Sequence, residues 1–189
     1  IVTMRDLLNG SVDELVALLP AVRELAPQLE RLGQAMMRCW EGRGKVLLAG
    51  NGGSAADAMH LAEELTVRFH KNRRALAAVA LMDPTALTCC GNDFGYGQVF
   101  SRQVEALGNE GDVFIAFSTS GNSPSILRAL EAANQQKLVT VTFLGKDGGK
   151  ARGLADIELL VPHPSTARIQ EVHQLLFHVL CQWVDQRVD

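Results

Sequence analysis

Four hydroxyls fall within six residues at Ser118-Thr119-Ser120-Gly121-Asn122-Ser123, and Pro124 follows. A phosphate monoester suits such a stretch. Backbone N–H and O–H donors, a glycine that allows tight curvature and the positive end of a helix make an anion nest that needs no lysine. An ordinary strand-to-helix loop accounts for Ser123 as an N-cap but leaves Ser118, Thr119 and Ser120 unexplained. A second stretch, Gly50-Asn51-Gly52-Gly53, precedes a helical pattern opening at Ser54, and its turn aims free N–H groups above the preceding strand. On that helix His60, Glu64 and Arg68 recur every four residues, stacking an imidazole, a carboxylate and a guanidinium along one stripe. Gln170, Gln174 and His178 repeat the spacing near the C-terminus. Two histidines, a glutamate and an amide oxygen are donor types from which a Zn²⁺ shell could be built. Spacing alone does not choose these donors over His163, His173 or Glu63, and a lone histidine on an apolar helix is more often a core residue. Asn92 and Asp93, with Arg68, offer groups that could contact sugar hydroxyls, a composition that surface turns share.

These residues need a scaffold that brings strand ends together. The apolar runs 45–49, 77–81, 113–117, 138–144 and 157–161 read as short buried strands, with helical patterns between them. Asp83-Pro84 reads as an N-cap and first helical residue of a short helix ending at Gly91, with 92–97 as a loop. Further helices are expected over 99–107, 124–136 and from 166 to the C-terminus, and a Gly/Lys loop over 145–153. Strands alternating with helices imply a doubly wound α/β fold around a five-stranded parallel sheet, with sites at the carboxyl ends of the strands. Residues 1–41 are helical throughout, punctuated by Pro20 and Pro27, and too apolar to stand free. They form an N-terminal helical extension that packs on the main domain, 42–189, or on another subunit.

Composition narrows the classes. The 189 residues are 47% hydrophobic and 21% charged, enough for one core, and the net charge of −3 gives no footprint for nucleic acid. No run of about 18 apolar residues and no leader pattern suggests a membrane or secretion, so the cytoplasm is the expected compartment. Cys39, Cys89, Cys90 and Cys181 show no C-x-x-C spacing and read as reduced thiols packed as small hydrophobes. Neither a P-loop nor G-x-G-x-x-G is present, which weighs against nucleotide chemistry.

The segments GNGGSAADAMHLAEEL, GNDFGYGQVFSRQVEALG, STSGNSP, GKDGG and TARIQEVHQLLFHVLC, in this order and spacing, resemble the sugar isomerase (SIS) domain family, specifically its heptose-phosphate isomerases. The resemblance implies a flavodoxin-like sheet, a homotetramer with active sites at subunit interfaces, and N-terminal helices that help build the tetramer. It implies conversion of D-sedoheptulose 7-phosphate to D-glycero-D-manno-heptose 7-phosphate, the first step toward ADP- or GDP-activated heptose for surface glycans. Carried over onto this chain, it makes His60, Glu64, Gln170 and His178 the ligands of one Zn²⁺ per subunit. Substrate contacts carried over are Asn51, Gly52, Gly53, Glu64, Asn92, Asp93, Ser118, Thr119, Ser120, Ser123 and Gln170, to which the turn and stripe readings add Ser54 and Arg68. One departure concerns the loop before the second strand, where the family usually reads R-P and this chain reads Arg73-Arg74-Ala75.

An aldose–ketose isomerisation through a cis-enediol asks for a base that moves a proton between neighbouring carbons and for a group that stabilises the developing oxyanion. Glu64 is assigned as that base and His178 as its partner, shuttling protons between the oxygens. Two other classes use the same fold. An interaction module resembling the DnaA initiator-associating protein would lack the Glu64 and His178 pair, and a sugar-phosphate-sensing module would need only the hydroxyl loop.

Overall fold

The computed structural model describes residues 2–189. Its centre is β1 (Val46–Gly50), a run with no exposed side chain that pairs on both edges. Five parallel strands lie in the order β2 (Ala78–Ala80), β1, β3 (Val113–Ser118), β4 (Val139–Gly145) and β5 (Ile157–Val161). The order 2-1-3-4-5 reverses direction between β1 and β3, so their carboxyl ends flank the crevice where doubly wound folds place ligands.

Alternation along the strands splits the core in two. Val46, Leu48, Val113, Ile115 and Phe117 face a layer built from α2 (Ala26–Glu41), α3 (Gly53–Thr66) and α7 (Thr166–Asp185). Leu47, Ala49, Phe114 and Ala116 face α4 (Pro84–Asp93), α5 (Ser101–Leu107) and α6 (Pro124–Gln135). α1 (Met4–Arg23) lies outside the first layer and buries only Leu18 and Val22. α2 is a full member of the core through Leu29, Leu32, Met36, Cys39 and Trp40. Cys39, Cys90 and Cys181 are buried as expected, and Cys89 alone is exposed. Burial, reinforced by nearby carboxylates, pushes the Cys39 thiol up to about 11 and the Cys181 thiol up to about 12, so both stay protonated.

Three boundaries differ from the sequence reading. Pro20 does not break α1, whose end comes at Arg23. α3 stops at Thr66, so Arg68 is not on the stripe of His60 and Glu64 but in the exposed segment beyond it. The last carbonyls of α3, those of Glu64 and Leu65, accept from the buried Arg73 guanidinium at 2.8 and 3.0 Å, which supplies the C-terminal cap. α4 runs through Gly91 to Asp93, which puts Asn92 and Asp93 in a final helical turn rather than a loop. Gly91 is tolerated within the helix, and the stop is Gly95 with φ +84°.

Candidate active site

The carboxyl ends of β1 and β3 carry the two polar turns, and side chains join them. Asn51 donates from Nδ2 to Ser125 Oγ at 3.0 Å and accepts from the Tyr96 hydroxyl at 2.6 Å. With Gly97, Ser123 and Pro124 these residues line a cavity of about 370 Å³. Gly52, at φ +57°, turns the chain into α3, where Ser54 is buried. A side chain at Gly53 would strike the Gln170 amide within 2.5 Å, so Gly53 lets the start of α7 rest on the turn.

The hydroxyl loop is held closed by its own groups. Ser118 Oγ accepts from Gly121 N at 3.1 Å and Ser120 Oγ from Asn122 N at 3.2 Å. Gly121 sits at φ +63°, and its carbonyl accepts from Ala151 N at 2.9 Å in the neighbouring 145–153 segment. Ser123 begins α6 from extended backbone without spending its hydroxyl on a cap bond. Thr119, Ser120 and Ser123 are half-buried there, beside the N-terminus of a twelve-residue helix. This is the donor set a phosphate monoester needs. Asn92 and Asp93 are exposed and paired with each other at 2.7 Å, and Tyr96, three residues on, reaches into the cavity.

α3 and α7 bring a second cluster together on the adjoining face. His60 Nε2 lies 3.1 Å from Glu64 Oε1, and one ligand atom each from His60, Glu64 and His178 all fall within 4.8 Å of one another. The rings of His60 and His178 meet edge-on at 5.1 Å, and Phe69 stacks on His178 at 5.6 Å. Burial lowers the His178 pKa, the neighbouring His60 adds to the effect, and Glu64 opposes it, so the imidazole is neutral at pH 7 and its lone pair is available. Two imidazoles and a carboxylate match the donor chemistry of a Zn²⁺ site.

The competing donors are disposed of by geometry. His173 is fully buried between Phe117 and Phe143 with Nε2 on the Leu144 carbonyl at 3.0 Å, His163 accepts from Ser165 N, and Glu63 points outward. Gln174, between Gln170 and His178 in the spacing, is engaged with the buried Asp57 at 3.2 Å. Burial raises the Asp57 pKa, against the pull of Gln174 and His60. Asp57, Tyr96 and Ser125 were not legible as site neighbours; the Gly-Tyr-Gly setting of the chain's single tyrosine was the one available signal.

The two clusters do not coincide within one chain. With a rise of about 1.5 Å per residue, Glu64 lies about 16 Å along α3 from the Gly53 turn, and His178 lies about 12 Å along α7 from Gln170. Gln170 and the hydroxyl loop sit at one end of the sheet, and the histidine–glutamate cluster sits well down the helices. Arg68 is exposed beyond α3 and belongs to neither.

Comparisons with known proteins agree on one family. The SIS domain model matches residues 12–145. The chain is 54% identical over 166 residues to a phosphoheptose isomerase of Paramagnetospirillum magneticum, covering 87% of this chain and 85% of that protein. It is 47% identical over 187 residues to one from Vibrio parahaemolyticus, covering 98% and 97%. The solved phosphoheptose isomerase of Neisseria gonorrhoeae superposes with a TM-score of 0.92 at 41% identity, over 97% of this chain and 100% of that one.

Proposed function

The chain belongs to the SIS-domain family, and on that premise we propose that it is a phosphoheptose isomerase. It converts D-sedoheptulose 7-phosphate into D-glycero-D-manno-heptose 7-phosphate, the entry to activated heptose. The observation that carries this reading is the convergence of Glu64 from α3 and His178 from α7, with His60, in one cluster. An interaction module or a sensor of the same fold needs no such pair.

Glu64 takes the proton from the carbon next to the carbonyl and returns it to the neighbouring carbon. The neutral His178 moves the proton between the two oxygens of the enediol. Ser118, Thr119, Ser120 and Ser123 hold the phosphate, and Asn51, oriented by Tyr96 and Ser125, holds the sugar near the turn of Gly52, Gly53 and Ser54. One Zn²⁺ per subunit would be held by His60, Glu64 and His178, with Gln170 of the partner subunit rather than of the same chain as a further ligand, and would supply Lewis acidity at the carbonyl.

The separation of the clusters bears on assembly. With C–C bonds of about 1.5 Å, a seven-carbon phosphate spans about 10 Å, shorter than the path of about 16 Å along α3 from the Gly53 turn, at the end of the sheet that carries the hydroxyl loop, to Glu64. The working site therefore combines the loop and Gln170 of one subunit with the histidine–glutamate cluster of another, in a homotetramer with interface sites. Of residues 1–41, α1 serves that assembly, while α2 is packed into the core of 42–189, which carries the chemistry. Asn92, Asp93 and Arg68, all exposed in one chain, contact substrate where subunits meet. Among the described residues no helix is long and apolar enough to cross a membrane; the cytoplasm is the compartment such a substrate implies.

The test is incubation with sedoheptulose 7-phosphate in D₂O, with and without chelator, following the aldoheptose phosphate by NMR. Turnover with deuterium wash-in is expected, lost on chelation, and lowered about 10²–10⁴-fold in Glu64→Gln, the worth of a positioned base. Wash-in at the wild-type rate in Glu64→Gln moves the base elsewhere, and no turnover in the wild type refutes the reading.

A further inference from the structure

Arg73 and Asp185 lie outside the reacting groups, yet they tie together the two helices that carry them. The Arg73 side chain is fully buried. Its Nε donates to Asp185 Oδ1 at 2.9 Å, Nη2 to the Glu64 carbonyl at 2.8 Å, and Nη1 to the carbonyls of Leu65 and Arg74, both at 3.0 Å. Asp185 is the last residue of α7, and Glu64 and Leu65 lie in the last turn of α3. One guanidinium therefore fixes the C-terminal ends of both helices relative to each other.

The other Asp185 oxygen accepts from the amides of His70 and Lys71, both at 2.9 Å. These bonds fold the segment after α3 back over α7, where Phe69 stacks on His178 and His70 stacks on Phe69 at 3.9 Å. Burial alone would raise the Asp185 pKa, but the Lys71 and His70 amides and the Arg73 guanidinium together hold it below the usual carboxylate range, so the pair is ionised in the folded protein.

We propose that the Arg73–Asp185 pair is a positioning device that sets the spacing of Glu64 and His60 against His178 by clamping the ends of α3 and α7. Ligand atoms confined within 4.8 Å tolerate little sliding of one helix past the other. Breaking one partner leaves a buried charge unpaired and frees both the helix end and the Phe69 wall. The inference rests on the reading of His60, Glu64 and His178 as a metal and proton-transfer site.

The experiment compares wild type, Asp185→Asn, Arg73→Lys and Leu130→Ala. Leu130 is a fully buried residue of α6 on the opposite face of the sheet and serves as a stability control. Co²⁺ affinity is measured by chelator competition at low temperature, with the visible spectrum of the Co²⁺ protein, alongside kcat and KM at saturating metal. Asp185→Asn and Arg73→Lys are expected to weaken Co²⁺ binding about 10–100-fold, the usual effect of removing support behind a ligand. They should also change the spectrum and lower kcat while leaving KM for the sugar phosphate within about threefold, since the phosphate loop lies at the other end of α3. Leu130→Ala should lower the melting temperature with affinity and spectrum unchanged. Where Asp185→Asn does not fold, Arg73→Lys, which keeps the charge and loses the fork, decides. Wild-type affinity and spectrum in the folded clamp variants, or equal loosening in Leu130→Ala, overturns the clamp alone. A wild type that neither binds Co²⁺ nor turns over overturns the site reading and the clamp with it.

Discussion

His173 illustrates how one residue type takes opposite roles on one helix. Five positions before His178, it faces the sheet: its Nε2–H donates to the Leu144 carbonyl, and its Nδ1 is buried with no partner. Burial drives its pKa down to about 4, with the Leu144 carbonyl pulling weakly the other way. A histidine whose folded pKa lies below its unfolded value of about 6.5 binds more protons when unfolded. Its contribution to stability is therefore whole above pH 6.5 and lost as pH falls toward 4. The loss is about 2 kcal/mol at pH 5 relative to pH 8, by linkage between those two values. Urea unfolding across that range should show stability falling with pH in the wild type and a flatter dependence in His173→Gln, whatever the variant's absolute stability; an unchanged slope would place the titrating group elsewhere. Side-chain spacing in the sequence could not tell His173 from His178. Both lie on a helix rich in leucine and valine, and only the direction of the sheet relative to α7 decides which ring is buried and which is left for chemistry.

Elements were legible where a local rule fixes them. Asp83 caps α4 through its Oδ1 to the Ala86 amide at 2.8 Å, Pro124 starts α6, and the continuous apolar runs are the strands. Ends set by tertiary contacts were not legible: α3 stops where Arg73, seven residues past its end, takes its carbonyls, a partner no local pattern announces. Glycine shows the same division and yields a paired prediction. A Cβ at Gly121 would lie 1.8 Å from the Gly148 carbonyl oxygen, at a φ of +63° that side chains rarely adopt, whereas one at Gly91 meets nothing within 4 Å inside a helix. Gly121→Ala must push the 145–153 segment away and reshape the hydroxyl loop, costing on the order of 1–3 kcal/mol and raising KM for the sugar phosphate at least tenfold. Gly91→Ala should be neutral or stabilising by roughly 0.5–1 kcal/mol, with KM unchanged. Thermal melts and initial rates on the two variants check both signs, and equal behaviour would show that the loop's closed form does not matter for binding.

At the scale of the whole molecule, one chain keeps in two places the polar residues that the sequence reading assigned to one site, and their spacing in the sequence does not show that division. That fact needs the lengths of α3 and α7, both of which descend from the strand ends before presenting Glu64 and His178. The surface points to how they are reunited. Met4, Leu7, Leu8, Val12, Val16 and Leu19 of α1 are between 39% and 80% exposed and fall on helical spacing, an apolar stripe that a single chain leaves bare. If α1 stripes pack together in the tetramer and bring a loop from one subunit to a cluster from another, two differently crippled chains should repair each other. Glu64→Gln has an intact loop, and Ser118→Ala/Ser120→Ala has an intact cluster. Co-expressed and purified as mixed tetramers, they should form interfaces that pair the good loop of one with the good cluster of the other. Random assembly makes about a quarter of all sites wild-type, so about that fraction of wild-type turnover should return, while each variant alone stays near its own low rate. Adding Leu8→Asp and Val16→Asp to both chains should break the assembly and abolish the recovery, as followed by light scattering and the NMR assay together. Mixed tetramers no more active than the average of their parents would mean that loop and cluster serve one chain, and that α3 must move toward the hydroxyl loop during turnover.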